Sequence, residues 1–363
     1  MFPAWTWIVG FWIGAAIGSF LNVVIYRMPR GLSLGKPKNS FCPSCKKQLG
    51  VIDLVPLLSW LFLRGRCRQC GAKVSSRYFF VELVNGIIWA GIWWQYLVVG
   101  SEWAKAIAYA FAAAALVAVI FIDWEFYIIP DQVNAFLLLV GLAYNGYLYY
   151  SHSPNAATGL GVPASLAGAV LGVAVLGGIT LGGRIAFGKD AMGHGDIKMA
   201  RGIGAVLFPV MALLSFGLAV ALGAVLGILQ VVVRMAIERR SAAGAAEPEE
   251  EPDGSKDLPY EPESVGSIVK CVFGYLICLD VIGLFYPKLY KAWFNEDPFE
   301  PVVNQDGEQQ DDWEVERTMI PFGPYLALGA IVATVFEGQL RTGFDAYWKW
   351  AAGGPASLEH LLR

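Results

Sequence analysis

The sequence predicts an all-α polytopic membrane protein of about eight transmembrane helices with a small cytoplasmic four-cysteine zinc-knuckle module. Three observations lead there. Apolar runs of bilayer length recur along the chain, basic residues gather in alternate connections, and two Cys-x-x-Cys pairs share one polar loop. Of the 363 residues, 56% are hydrophobic, more than the roughly half found in soluble domains. A crossing helix needs about 20 apolar residues to span about 30 Å of hydrocarbon. Such runs fall at residues 5–26, 79–99, 104–122, 133–150, 161–181, 208–233 and 321–337. An eighth, shorter run at 197–207 crosses only as part of a packed bundle.

The first run is not a secretory signal, because residues 1–7 carry no basic residue ahead of it. The positive charges follow it instead, eleven Lys or Arg between Arg27 and Arg77. Basic connections stay in the cytoplasm, so 27–78 is expected inside and the N-terminus outside. Alternation then puts 123–132, 182–200 and 234–319 inside, while the connections at 100–103 and 151–160 have no Lys or Arg, as exterior loops should. The net charge of -3 carries less information than this local asymmetry, and nothing in it calls for a nucleic-acid partner. The lipid bilayer is the partner the composition demands.

Four of the six cysteines form Cys42-Pro-Ser-Cys45 and Cys67-Arg-Gln-Cys70, with 21 residues between the pairs. That is close to the two-knuckle spacing of a tetrahedral zinc site. The flanking Lys46, Lys47, Arg64, Arg66, Arg68 and Lys73 favour the thiolate form, and four sulfur ligands would close the coordination shell, making the metal structural. A pair of disulfides or four free thiols are the other readings of the same spacing, and a reducing cytosol works against the disulfides. Cys271 and Cys278 sit on a separate apolar island, where buried packing accounts for them.

Ionisable groups at the ends of spans are costly and usually functional. Asp123 closes the third span, and Asp196 stands in Gly193-His-Gly-Asp196-Ile-Lys198 at the mouth of the short sixth segment. Two carboxylates converging on one water can share a proton: the ionised one activates the water while the protonated one polarises the scissile carbonyl. That is aspartyl peptidase chemistry. Interfacial charges or helix caps are the plainer alternative, Asp131 after its Pro being suited to cap the fourth helix. Gly193 and Gly195 allow close backbone approach beside a substrate strand. Glu125, Asp131 and Lys198 are candidates to orient or tune the pair, and His194 reads as a loop residue.

With these residues in hand, the chain resembles the bifunctional type IV prepilin peptidases, or leader peptidase/N-methyltransferases, of the GxGD aspartyl protease group. The resemblance is carried by Gly18-Ser-Phe-Leu-Asn-Val-Val-Ile-Tyr-Arg27, the two cysteine pairs, Pro56-Leu-Leu-Ser-Trp60, and Val74-Ser-Ser-Arg-Tyr78 with Glu82. It continues through Asp123 to Asp131, Gly193 to Lys198, and Pro321-Phe-Gly-Pro324. It implies a bacterial inner-membrane enzyme with Asp123 and Asp196 as the catalytic pair. Such an enzyme cuts the short basic leader of type IV prepilins or type II secretion pseudopilins after a Gly on the cytoplasmic side, then N-methylates the new terminus with S-adenosylmethionine. It also matches the four cysteines to zinc knuckles associated with methyl transfer, and Gly65 to a glycine of that loop that is a cofactor-binding candidate.

The chain then divides into a first transmembrane helix at 1–30, the zinc module at 31–78, a peptidase core at 79–235, an acidic insertion at 236–318 and a last transmembrane helix with tail at 319–363. The insertion departs from the family. Its stretch 247–263 has eight acidic residues and one Lys with four interleaved prolines, a composition too polar to fold alone. A second acidic run covers 296–316. The apolar island between them, 271–286, is expected not to cross, because it is short and Asp280 near its middle would cost about 3 kcal/mol in lipid; an amphipathic or docked cytoplasmic helix is expected there. Two other functions fit parts of the sequence: a peptidase without methylation, and a non-enzymatic membrane scaffold or transporter whose zinc knuckle binds a partner.

Overall fold

The computed structural model describes residues 2–37, 39–188, 192–242, 263–301 and 321–351. Their regular structure is helical apart from three isolated β-bridges. Helix α4 (Trp103–Phe126) is the central post. It has no Gly or Pro and is rich in Ala, the strongest helix former, and its small side chains let neighbours close in on every side. Against it lie α1 (Trp7–Arg27), α3 (Ser76–Trp93), α5 (Asp131–Tyr150) and α11 (Gly323–Val335). A single π-helical turn, Trp94–Val99, extends α3. Asn side chains bind α1 to the α3 region: Asn85 Nδ2 donates to Gly14 O at 2.6 Å and Asn22 Nδ2 to Tyr78 O at 3.0 Å.

Helix α6 (Ala164–Phe187) crosses the first half of α7 (His194–Ala242) at backbone contact. A Cβ on Gly168 would lie 1.9 Å from Gly204 O, and one on Gly172 would lie 2.2 Å from Ala200 O. Gly168, Gly172, Ala200 and Gly204 are thus paired small-xxx-small stripes, the packing that holds helices together in lipid. This contact fixes the position of Asp196, one turn before Ala200.

Helix α7 reverses direction at Phe208 (φ 62°, ψ 171°), followed by Pro209. Gly323 touches Asp123 at the level of Asp196, and two residues later Tyr325 packs on Gly223. A straight helix would carry Gly223 about 40 Å from Asp196, so the second half must run back beside the first. The expected segments 197–207 and 208–233 are the two arms of this hairpin.

Four helices are long and apolar enough to cross a membrane by length and composition: Ala4–Arg27, Trp103–Phe126, Ala164–Phe187 and His194–Leu229. That marks an integral membrane protein. The other expected spans form helices of more mixed composition or shorter length, α11 having 13 residues where 321–337 was expected. After α11, Glu337 opens α12 (Glu337–Ala351) and is buried against Lys105 Nζ at 2.8 Å and the hydroxyls of Tyr96 and Tyr109 at 3.2 Å.

The apolar island does not form one helix. It is broken into α8 (Val265–Leu276), α9 (Leu279–Gly283) and α10 (Pro287–Phe294), with Cys278 in the left-handed region at the break. This unit is a helical hairpin. Glu263, ahead of it, meets His194 at the Asp196 end of the bundle, Cys278 and Val281 at the tip pack with Leu138, Ala169 and Ala205 inside it, and Tyr290 returns to Asp131. It is therefore docked into the bundle rather than laid along a surface. Asp280 at the tip, read from sequence as a cost, is paired with Arg201. The acidic stretch expected to be disordered lies outside the described residues except at Glu263, and the second acidic run lies outside them beyond residue 301.

Candidate active site

Asp123 and Asp196 reach one cavity of about 800 Å³ from different helices. Asp123 stands in the last turn of α4, which ends where Tyr127 adopts left-handed backbone (φ 57°). Pro130 then leads into α5, so the connection stays short and rigid. Asp196 stands in the first turn of α7. Both are buried, at 5% and 8% exposure. The backbone of Gly323 at the start of α11 hydrogen-bonds the Asp123 carboxylate. A Cβ at 323 would fall 2.3 Å from Asp123 Oδ2, so only glycine lets α11 approach this far. Asp196 Oδ1 is buried with no partner.

The remaining candidates separate into those at the cavity and those away from it. Lys198 is 4% exposed and donates to both oxygens of Asp131, at 2.8 and 2.9 Å. Gly193 and Gly195 line the cavity, the latter against Ile129. Glu125 faces elsewhere. It pairs with Arg77 and lines a second cavity on the opposite side of the α4 terminus. His194 bonds Glu263 at 3.0 Å.

The four cysteines come together in two matching knuckles. Each is closed by an antiparallel bridge, Phe41 with Gln48 and Arg66 with Lys73, and each has a left-handed residue just after its second cysteine, Lys46 and Gly71. Their sulfurs all lie within 4.8 Å of one another, Cys42 to Cys70 at 4.0 Å. Zinc–sulfur bonds of about 2.3 Å put tetrahedral sulfurs about 3.8 Å apart, so the cluster is the size of a zinc site. Backbone N–H groups of Cys70 and Gln69 bring the Cys67 thiol down to about 7, while, against a backbone hydrogen bond from Ala72, burial and the neighbouring thiols push Cys70 up to about 11. Gly65 adopts left-handed backbone (φ 64°), and Trp60 lies where its side chain would be.

Residues 12–96 match the bacterial peptidase A24 N-terminal domain, and residues 107–228 match the type IV leader peptidase family. The chain is 32% identical over 329 residues to a prepilin leader peptidase/N-methyltransferase of Myxococcus xanthus, covering 88% of this chain and 87% of that protein. The chain belongs to the type IV leader peptidase family. Proteins of the same name from Dickeya chrysanthemi and Neisseria gonorrhoeae are 34% and 30% identical, over 54% and 64% of this chain and 72% and 84% of theirs. No solved structure matches it.

In this leader peptidase the cavity lined by Asp123 and Asp196 has a floor that the sequence reading did not find. Tyr290 hydrogen-bonds Asp131 and accepts from Lys198 Nζ at 2.9 Å, and Lys198 also lies over the rings of Tyr275, Tyr290 and Phe294 at 5.3 to 5.7 Å. Behind it, Arg201 makes a bidentate pair with Asp280 at 2.7 and 2.6 Å and donates to Tyr275 O at 2.7 Å. The available signal was Asp280, alone in its apolar run, and Arg201, a second cation three residues after Lys198.

Proposed function

We propose that this chain cuts the leader from type IV prepilins or type II secretion pseudopilins at the cytoplasmic face of the inner membrane, then methylates the new N-terminus with S-adenosylmethionine. The convergence of Asp123 and Asp196 on one cavity carries the peptidase reading. In the proposed step a water between the carboxylates gives a proton to the ionised member as its oxygen attacks the scissile carbonyl. The protonated member donates to the carbonyl oxygen, and the proton taken from water then goes to the leaving amine. The N-terminus of α7 directs partial positive charge at this reaction.

The arrangement we assign has eight passes, the N-terminus outside and the dyad cavity inside, with the five sequence divisions kept as functional regions. The reversal at Phe208 supports that parity. The cysteine cluster holds one structural zinc, because a loop this short and polar has too little apolar core to fold without metal. Cys67→Ser with Cys70→Ser is expected to abolish bound zinc in metal analysis of purified protein; undiminished zinc would rule the site out.

S-adenosylmethionine fits the second cavity, about 430 Å³, between the knuckles and the ends of α1, α3 and α4. Tyr26, Trp60 and Tyr78 offer faces for an adenine ring, while Asp53, Glu82 and Glu125 offer acceptors for ribose hydroxyls and cationic groups. Asn22 Oδ1 is buried there without a partner. When bound, the cofactor supplies an electrophilic methyl group. The α4 terminus separates the cavities, with Asp123 on one side and Glu125 on the other, so a cleaved N-terminus has a short path between them. The test is mass analysis of a prepilin incubated with purified chain in liposomes and the cofactor. We expect a product without leader and with one added methyl. An unmethylated product would leave a peptidase alone, and an intact prepilin would overturn the reading.

A further inference from the structure

Between the two cysteine pairs the module carries an apolar stretch that the knuckles do not use, Val51-Ile-Asp-Leu-Val-Pro-Leu-Leu-Ser-Trp-Leu-Phe-Leu63. It folds as a short 3-10 turn (Val51–Leu54) packed on α2 (Leu58–Phe62), with a reversal at Leu57 between them. Leu57 adopts left-handed backbone (φ 61°, ψ -52°), and Leu58 N–H donates to Pro56 O at 2.6 Å, a γ-turn of the rare, strained hand. The N–H of Leu57 fastens the reversal to α3 by donating to Glu82 Oε2 at 2.7 Å. Glu82 lies about 9 Å along α3 from its start at Ser76. A Cβ on Gly18 would fall 2.7 Å from Glu82 Cα, and Gly18 is about 13 Å inside the end of α1 at Arg27. The reversal thus reaches past the level at which the apolar runs of both helices begin.

At that depth its outer side chains are uncovered: Val51, Ile52, Leu61 and Phe62 are 85%, 70%, 51% and 81% exposed. The apolar surface continues onto α3, because Trp60 packs on Phe79 at 5.2 Å and Phe79 on Phe80 at 5.7 Å, and Phe80, Val84 and Ile87 form an exposed apolar face of that helix. Backbone in hydrocarbon must satisfy its own donors. Pro56 has none, Leu57 and Leu58 are paired as above, and Ser59, Leu61 and Leu63 donate to Val55 O, Leu57 O and Ser59 O. The charge around the stretch is one-sided. Asp53, the single acidic residue between Arg27 and Arg77, is taken by Arg68 at 2.7 Å, while Lys46, Lys47 and Arg64 at the two ends are exposed and make no ion pair among the described residues. We infer that residues 51–63 are a membrane-docking loop: Val51, Ile52, Leu61 and Phe62 enter the acyl region of the leaflet beside α3, and Lys46, Lys47 and Arg64 take anionic lipid headgroups. Leu54, Ser59, Trp60 and Leu63 of the same loop line the second cavity, so docking holds that cavity at the membrane surface.

The test uses the full-length protein in vesicles of equal phosphatidylcholine and phosphatidylglycerol, with a benzophenone amino acid placed at Phe62 or, as control, at the exposed Gln69 of the second knuckle. Irradiation followed by mass analysis identifies what each site touches. Phe62 is expected to give about tenfold more phospholipid adduct than Gln69, a factor within the burial free energy of one Phe side chain. Phosphatidylglycerol is expected to exceed phosphatidylcholine in the Phe62 adduct by about fivefold, the pull of one basic residue at an anionic surface. Adding Lys46→Gln/Lys47→Gln/Arg64→Gln is expected to remove that preference and leave the adduct itself. Adducts to a second copy of the chain, or no excess of lipid adduct at Phe62 over Gln69, would overturn the inference. Lipid adduct without a phosphatidylglycerol preference would overturn its headgroup half. Retained zinc content in each labelled protein confirms that the module is folded.

Discussion

Asp123→Asn and Asp196→Asn are each expected to reduce leader cleavage by about 10²–10⁴-fold, the contribution of positioned acid–base groups. The reason lies in the shared cavity: one carboxylate cannot both take a proton from water and give one to the carbonyl. Asn keeps the shape of Asp, and Asp196 Oδ1 has no partner to lose, so yield and thermal stability should stay near wild type. Single-turnover cleavage by purified variants measures the effect. Because the pair works as a unit, the double variant should be little worse than either single one. Substantial activity in either single variant would remove that residue from the chemistry.

The meeting of Asp123 with Asp196 at one cavity and the clustering of the four cysteines were legible because their signals are local. A carboxylate at a helix end beside a glycine turn, or two thiols three apart, can be seen in a few consecutive residues. Glu125 shows the limit of reading by proximity. It lies two residues from Asp123 on one helix, a rotation of about 200°, so helical period alone turns it toward the other cavity. The apolar island shows a different limit. Hydropathy counts Asp280 as a charge in lipid, but its cost depends on a partner 79 residues away, beyond any sequence window. The same holds for Tyr290, whose hydroxyl reaches Asp131 across 159 residues. Reversal at Phe208 was half visible: Pro209 marks a break, while the return of the second arm depends on the meeting of Gly223 with Tyr325.

The Arg201–Asp280 pair carries the largest stability effect expected in the molecule. The two residues are 1% and 2% exposed, and the two terminal guanidinium nitrogens meet separate carboxylate oxygens, while Arg201 Nε is left without a partner. Removing one member strands the other as an unpaired charge where water does not reach, at a cost of about 3–5 kcal/mol. Arg201→Met should therefore lower the thermal midpoint of the purified protein sharply and speed proteolysis of residues 263–301, since the tip of the hairpin would lose its anchor. Asp280→Leu should act in the same direction but less severely, because the stranded Arg201 keeps its bond to Tyr275 O. The decisive measurement is the double variant Arg201→Met/Asp280→Leu. A buried ion pair replaced by apolar side chains of similar volume is often neutral or stabilising, so the double variant should recover most of the midpoint and protease resistance. If either single variant unfolded like the wild type, the hairpin would have to be held by its apolar contacts with α5, α6 and α7 alone, and the charges would be incidental to its docking.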